Sequence, residues 1–172
     1  MAPKSVKQTF SADQIAQRVS ELASEIRADA GKSEVFLLGI LKGTAIFLAD
    51  LLRAIPGSAT YGFIDVVRDE ADTEIASALE IDFLSHTELA GRHVYLLKDV
   101  VSTGVIESYL LSQLRQHEPK SLKLVALLDR PALRTVDLVA DYKAFEVADG
   151  AFVGYGLEVN GLHGNLPHIG KL

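Results

Sequence analysis

His93-Val94-Tyr95-Leu96-Leu97-Lys98-Asp99-Val100-Val101-Ser102-Thr103-Gly104 carries an apolar strand through one acidic residue into a Ser-Thr-Gly turn. The helical stretch Val105 to Gln116 follows at once. A turn of this kind points backbone N–H groups and small hydroxyls at the start of the helix. Orphan N–H donors and the helix dipole favour an anion there, a phosphate in particular. The same residue types, Asp99, Ser102 and Thr103, are also those that turns and helix starts favour for purely local reasons.

The flanking sequence alternates strands with helices. Ser11-Ala12-Asp13-Gln14 is a capping box opening a helix, with Ile15, Val19, Leu22 and Ile26 on one face and Gly31 at its end. Glu34–Ile40 is a nearly unbroken apolar run, the pattern of a strand buried on both faces. Gly43–Ile55 predicts a helix stopped by Pro56-Gly57. Tyr61–Val67 and Ala78–Phe83 read as strands, and the acidic stretch Arg68–Glu74 between them as a solvated loop. Leu122–Leu128 is a further buried strand, and Ala144–Val147 and Phe152–Gly156 are two short ones. The pattern predicts an α/β fold, an open and mostly parallel sheet with helices on both faces, formed as a single domain over residues 1–172. Ligands of such sheets bind beyond the carboxyl ends of the strands. That rule singles out three polar turns: Lys42-Gly43-Thr44, Asp99 to Gly104, and Asp129-Arg130-Pro131.

Composition narrows the function classes. The 172 residues are 48% hydrophobic and 23% charged, the balance of a globular chain with a real core. A net charge of −6 argues against nucleic-acid binding, which needs a basic face. No apolar run approaches the roughly 18 residues of a membrane span. With no cysteine and no apolar stretch in Met1-Ala2-Pro3-Lys4-Ser5, the expected location is cytoplasmic. Gly39-Ile40-Leu41-Lys42-Gly43-Thr44 holds the letters of a Walker loop, but lysine precedes glycine and the cradle is lost. His86, His93, His117, His163 and His168 show no metal-ligand spacing.

Four blocks carry a resemblance over most of the chain. Leu41-Lys42-Gly43 with Phe47 and Ala49-Asp50-Leu51-Leu52 is similar to an LKG…F.ADLL segment, and Gly91-Arg92-His93-Val94 leading to Asp99 is similar to GRHVL…ED. Leu127-Leu128-Asp129-Arg130-Pro131 matches LLDKP with arginine for lysine. Phe145-Glu146, Phe152 to Glu158 and Asn165 to Gly170 read as FE…VVGYGLD…NLPYIG. In this order the blocks resemble the type I phosphoribosyltransferases, closest to the hypoxanthine-guanine enzymes. The resemblance implies an open parallel sheet with a small hood built from both chain ends. It also implies a purine-salvage reaction, in which phosphoribosyl diphosphate and a 6-oxopurine give a nucleoside monophosphate and pyrophosphate with Mg2+ as cofactor. The implied partners are that donor and a purine base or nucleotide, and a second copy of the chain in a dimer or tetramer.

Carried over position by position, the resemblance implies that Lys42 and Gly43 meet the pyrophosphate. Asp99 faces the ribose hydroxyls, Thr103 and Gly104 hold the 5′-phosphate, Arg130 meets the purine O6 and Glu158 meets magnesium, with Asp99 as a further metal-facing carboxylate. Asp99 and Ser102 stand at the catalytic positions, and Lys98, Ser102 and Val105 complete the phosphate and ribose set. Several of these depart from the pattern. Lys98 replaces the first carboxylate of an acidic pair, and Ser102 replaces an aspartate assigned to proton transfer at purine N7. Val105 and Ile106 replace a polar residue and a threonine, and Gly164 replaces an arginine. Ala151 takes the place of a stacking aromatic, a role that falls to the neighbouring Phe152. The alternative is therefore a catalytically impaired paralogue, acting as a nucleotide or phosphate sensor or as a partner subunit.

Overall fold

Every residue of Val35–Ile40 (β2) is buried, because this strand lies in the middle of a sheet covered on both faces. The computed structural model describes residues 6–68, 79–83 and 88–172. Around β2 the chain lays down β1 (Lys7–Phe10), α1 (Ala12–Ala30), α2 (Ala45–Ala54), β3 (Ala59–Arg68), β4 (Leu79–Phe83), β5 (His93–Val101) and α3 (Val105–Arg115). β6 (Ser121–Asp129), β7 (Tyr142–Glu146), β8 (Phe152–Val153) and β9 (Ile169–Lys171) follow, with one 3₁₀ turn at Pro131–Leu133.

The main sheet has the order β4-β3-β2-β5-β6-β7, parallel throughout except for the antiparallel edge strand β4. Side chains alternate between two cores. Leu37, Leu97 and Leu127 join α1 and α2 on one face, and Leu38, Leu96 and Leu124 join Leu110 and Leu114 of α3 on the other. The capping box is formed: the Gln14 N–H donates to Ser11 Oγ at 3.2 Å and the Ser11 N–H to Gln14 Oε1 at 2.8 Å. Gly31 caps the helix at φ 60°, its N–H donating to the Arg27 carbonyl.

Several boundaries move. α2 begins at Ala45 rather than Gly43, since the intervening residues form a turn, and the strand expected over Phe152–Gly156 is only Phe152–Val153. The acidic stretch 69–74 and Ala78 lie outside the described residues. β1 and β9 are strands that periodicity did not single out. They pair with β8 in a separate antiparallel sheet of order β1-β9-β8, the hood made from both chain ends. Phe10 stacks on Phe145 at a centroid separation of 3.9 Å, which fastens the hood to the main sheet.

Leu22 sits fully buried at the centre of α1 against this core. Leu22→Ala is expected to lower the unfolding free energy by about 2–5 kcal/mol, read by urea denaturation, through lost transfer energy and the cavity left behind.

Candidate functional site

Parallel pairing brings the three polar turns together. Gly39 lies beside Leu97, and Val101 lies beside Asp129, so the chain leaves β2, β5 and β6 along one edge of the sheet. The segment from Gly156 to Glu158, coming from the hood, closes the fourth side. A cleft of about 300 Å³ is lined by Lys42, Gly43, Asp99, Val100, Phe152 and residues 156–158, whereas Thr103, Gly104 and Arg130 do not line it.

Gly43 and Asp99 form its floor. A Cβ on Gly43 would sit 2.1 Å from Asp99 Oδ2, so no side chain fits at this position. Asp99 Oδ1 accepts the Val100 N–H at 2.8 Å and the Lys98 ammonium at 2.7 Å. Lys98 and Asp99 are both mostly covered, their side chains 22% and 24% exposed. Lys42 is 86% exposed and spans the cleft mouth to Glu158 Oε1 at 3.1 Å. The peptide bond between Leu41 and Lys42 is cis.

The turn before α3 is not a side-chain cap. Gly104 is the N-cap residue, in the left-handed conformation at φ 82°, and makes no side-chain hydrogen bond to the helix start. Ser102 and Thr103 thus lie before the cap, and the Val105 N–H at the start of α3 makes a long 3.5 Å contact with Thr103 Oγ1. A Cβ on Gly104 would meet Arg134 Cδ at 2.8 Å.

The turn's own carbonyls are held from behind. Val101 O accepts the Arg130 N–H at 2.9 Å, Thr103 O accepts the Thr135 N–H at 3.0 Å, and Ser102 O accepts Arg134 Nη1 at 2.5 Å. Arg134 also donates to Leu138 O at 3.0 Å and pairs with buried Asp129 through Nη2. Neither Arg134 nor Asp129 was read from the sequence as a site residue. The available signal was an acidic residue closing the apolar run of β6, followed five residues later by an arginine.

Arg130 does not extend alone into the cleft. Its Nη2 donates to the Gly150 carbonyl at 2.6 Å, its guanidinium lies 5.5 Å from the centroid of the Phe152 ring, and its Nε is buried without a partner among the described residues. Phe152 is itself buried, at the junction of cleft and core. Tyr155 belongs to the core and donates through its hydroxyl to Asp50 Oδ2 at 2.6 Å; burial and that carboxylate raise its pKa. Among the described residues no three His, Asp or Glu side chains converge as a ready metal cage.

Helix N–H groups at the start of α3, and a lysine with a close-packed backbone turn across Asp99 from them, are the kinds of group that suit anions. A phosphoribosyl transferase domain model matches residues 5–160. The chain belongs to the phosphoribosyltransferase family. Within the family it is 34% identical over 166 residues to the hypoxanthine-guanine phosphoribosyltransferase of Bacillus subtilis (strain 168), covering 96% of this chain and 92% of that one. It is 33% identical over 167 residues to the enzyme of the same name from Streptococcus pneumoniae (strain ATCC BAA-255 / R6), with 96% and 92% coverage. A Bacillus anthracis hypoxanthine-guanine phosphoribosyltransferase, solved with a HEPES molecule in its active site, superposes with a TM-score of 0.90 at 32% identity, covering 98% of this chain and 99% of that one. The α/β architecture of the family, a parallel sheet flanked by helices, is the architecture found here.

Two charge arrangements around the turn are open to measurement. Removing Arg134 alone leaves buried Asp129, among the described residues, with only the more distant Lys143 Nζ at 3.8 Å to balance it. Arg134→Met is expected to cost about 3–5 kcal/mol in chemical denaturation, and Asp129→Leu in the same chain to restore most of it. Glu107, in the first turn of α3, is 4% exposed, and burial raises its pKa above the ordinary 4.5, with Lys98 and Arg134 pulling the other way. A raised folded pKa means stability that is complete below pH 4.5 and is lost as pH rises through the folded value. Glu107→Gln should therefore match the parent Tm in acid and exceed it by about 2–4 °C at neutral pH in scanning calorimetry.

Proposed function

We propose that the chain is a purine phosphoribosyltransferase, which joins a 6-oxopurine to the ribose of phosphoribosyl diphosphate and releases pyrophosphate. The observation that carries this reading is a cleft in which Lys42 and Gly43 after β2, Asp99 at the end of β5 and Glu158 from the hood meet, in a chain whose relatives bear that name. No helix among the described residues is long and apolar enough to cross a membrane, in keeping with a small-molecule enzyme. A dimer or tetramer in the cytoplasm is part of the same proposal.

Each end of the donor has a place. Thr103, Gly104, Val105 N–H and the first N–H groups of α3 take the 5′-phosphate. The Gly43 backbone and the Lys42 ammonium take the pyrophosphate, and Asp99 Oδ2 accepts from the ribose hydroxyls. Arg130 donates to the purine O6, keeping the charge and donor character of a lysine while adding a planar fork, and Phe152 supplies an apolar wall. The reaction breaks the bond from C1′ to the pyrophosphate oxygen, forms one to a ring nitrogen of the purine, and releases the purine's imidazole N–H proton to water or to the leaving pyrophosphate. Positive charge builds on the ribose as the bond breaks, and Asp99 below it stabilises that charge. Ser102 offers a hydroxyl that hydrogen-bonds the purine but is a poor base near neutral pH.

The fit of these residues to Mg2+ differs across the cleft. Glu158 is a half-exposed carboxylate at the pyrophosphate end, and magnesium is commonly held by one or two carboxylates together with substrate phosphates. Bound there, the ion would neutralise the leaving pyrophosphate, once Lys42 exchanged Glu158 for a phosphate oxygen. Asp99 fits less well, because one of its oxygens already accepts an ammonium. That pair, with serine at 102, is also the observation that favours the second reading, a nucleotide-binding sensor or partner subunit with little turnover.

Incubation with phosphoribosyl diphosphate, Mg2+ and hypoxanthine or guanine should yield the nucleoside monophosphate with one pyrophosphate per turnover. Thr103→Val with Gly104→Ala removes a hydroxyl and strains the turn, and should lower kcat/KM by about 10²-fold or more, since small misplacements at a reacting centre have effects of that order. Nucleotide binding with no product at high enzyme concentration would establish the second reading instead.

A further inference from the structure

We propose that Lys98 is a built-in cation that stands in for a metal ion at the ribose hydroxyls, so that only the pyrophosphate end of the donor calls for Mg2+. The inference rests on the reading that Asp99 faces those hydroxyls. Its basis is the placement of the ammonium. Lys98 Nζ lies 2.7 Å from Asp99 Oδ1, within β5 and three residues before that strand ends at Val101. Glu107, a buried carboxyl group in the first turn of α3, is near enough for the Lys98 charge to favour its ionised form. The ammonium is thus held against Asp99 and mostly covered from solvent.

This placement has three chemical consequences. An ammonium has three N–H donors, and the contact with Asp99 uses one, so others remain for a ribose hydroxyl or an adjacent phosphate oxygen. A divalent ion at the same carboxylate would be set against a fixed positive charge a few ångströms away, with little water between them to screen it. The negative charge that a metal would balance is already balanced by a covalently attached cation, in a site that offers no cluster of three carboxylate or imidazole ligands among the described residues. At the far end of the cleft the geometry is different. Lys42 is solvent-exposed and its contact with Glu158 is easily exchanged, so a phosphate-bound ion has a carboxylate to meet there. The two lysines divide the work: Lys98 is fixed and internal, Lys42 is free to turn to the substrate.

The test is calorimetric titration of phosphoribosyl diphosphate into the full chain over a range of Mg2+ concentrations, for the parent, Lys98→Gln and Lys98→Glu. The slope of log Kd against log Mg2+ counts the ions taken up on binding. It should be about −1 for the parent and move toward about −2 for either variant, as a metal ion enters the vacated position. Pyrophosphate alone, lacking a ribose, should give the same slope for all three proteins. Lys98→Gln keeps the experiment interpretable if a third carboxylate beside Asp99 and Glu107 prevents Lys98→Glu from folding. Equal slopes for parent and variants, with tight donor binding, would overturn this role for Lys98 and leave the transferase reading standing. A parent that binds no donor at any Mg2+ concentration overturns both.

Discussion

Parallel hydrogen bonding between β2, β5 and β6 is the constraint from which the rest follows. These strands are apolar on both faces and so have only one stable position, the middle of a sheet with helices above and below. Once Gly39 is opposite Leu97 and Val101 is opposite Asp129, the polar turns after the strands must emerge side by side. The hydrophobic effect sets the position of a site made almost entirely of polar and backbone groups. The hood adds the last wall through Glu158, and it is fastened by Phe10 on Phe145 and by Tyr155 on Asp50 rather than by strand pairing to the main sheet.

What was legible in the sequence and what was not divide along physical lines. Runs such as Val35–Ile40 and Leu122–Leu128 stand out because burial on two faces leaves nothing but apolar residues, and α1 stands out because its cap and its apolar face coincide. β1 and β9 are short, and β1 is exposed over most of its length, so no periodicity marks them; they exist because each gives the other a partner. At the proposed site, Lys42, Thr103 and Gly104 stand out in the sequence because each comes just after a strand, and Asp99 because it is an acid near the end of one, with β5 running on through it to Val101. Arg134 could not. Its function depends on a fold-back that sets residues 130–135 against residues 101–103, and nothing local to Arg134 announces that contact. The same is true of Glu107, which reads as an ordinary first-turn acid until α3 is packed and the carboxylate is seen to be buried.

The resting site is also electrostatically closed on itself. Lys42 pairs with Glu158, Lys98 with Asp99, and Arg134 with Asp129, so each charge brought to the cleft has an internal counterpart. These pairs differ in how firmly they are held. The exposed Lys42 pair is of the kind that contributes little to stability and exchanges readily, whereas the covered Arg134 pair is structural. A highly charged substrate meets a surface that is neutral in detail and rearranges only where the contacts are weakest.

The turn before α3 is fastened by its carbonyl oxygens, at Val101, Ser102 and Thr103, and not by the side chains it displays. Main-chain oxygens are the same in every amino acid. Apart from Gly104, whose conformation no side chain tolerates, the scaffold of this loop is thereby uncoupled from its chemistry: substitutions at 102 and 103 change what is presented to a ligand without moving where it is presented. A lineage can carry lysine for a carboxylate at 98 or serine for aspartate at 102 and inherit the same curve of backbone. Shape and reactivity in this part of the molecule are separately heritable, and divergence in one leaves the other intact.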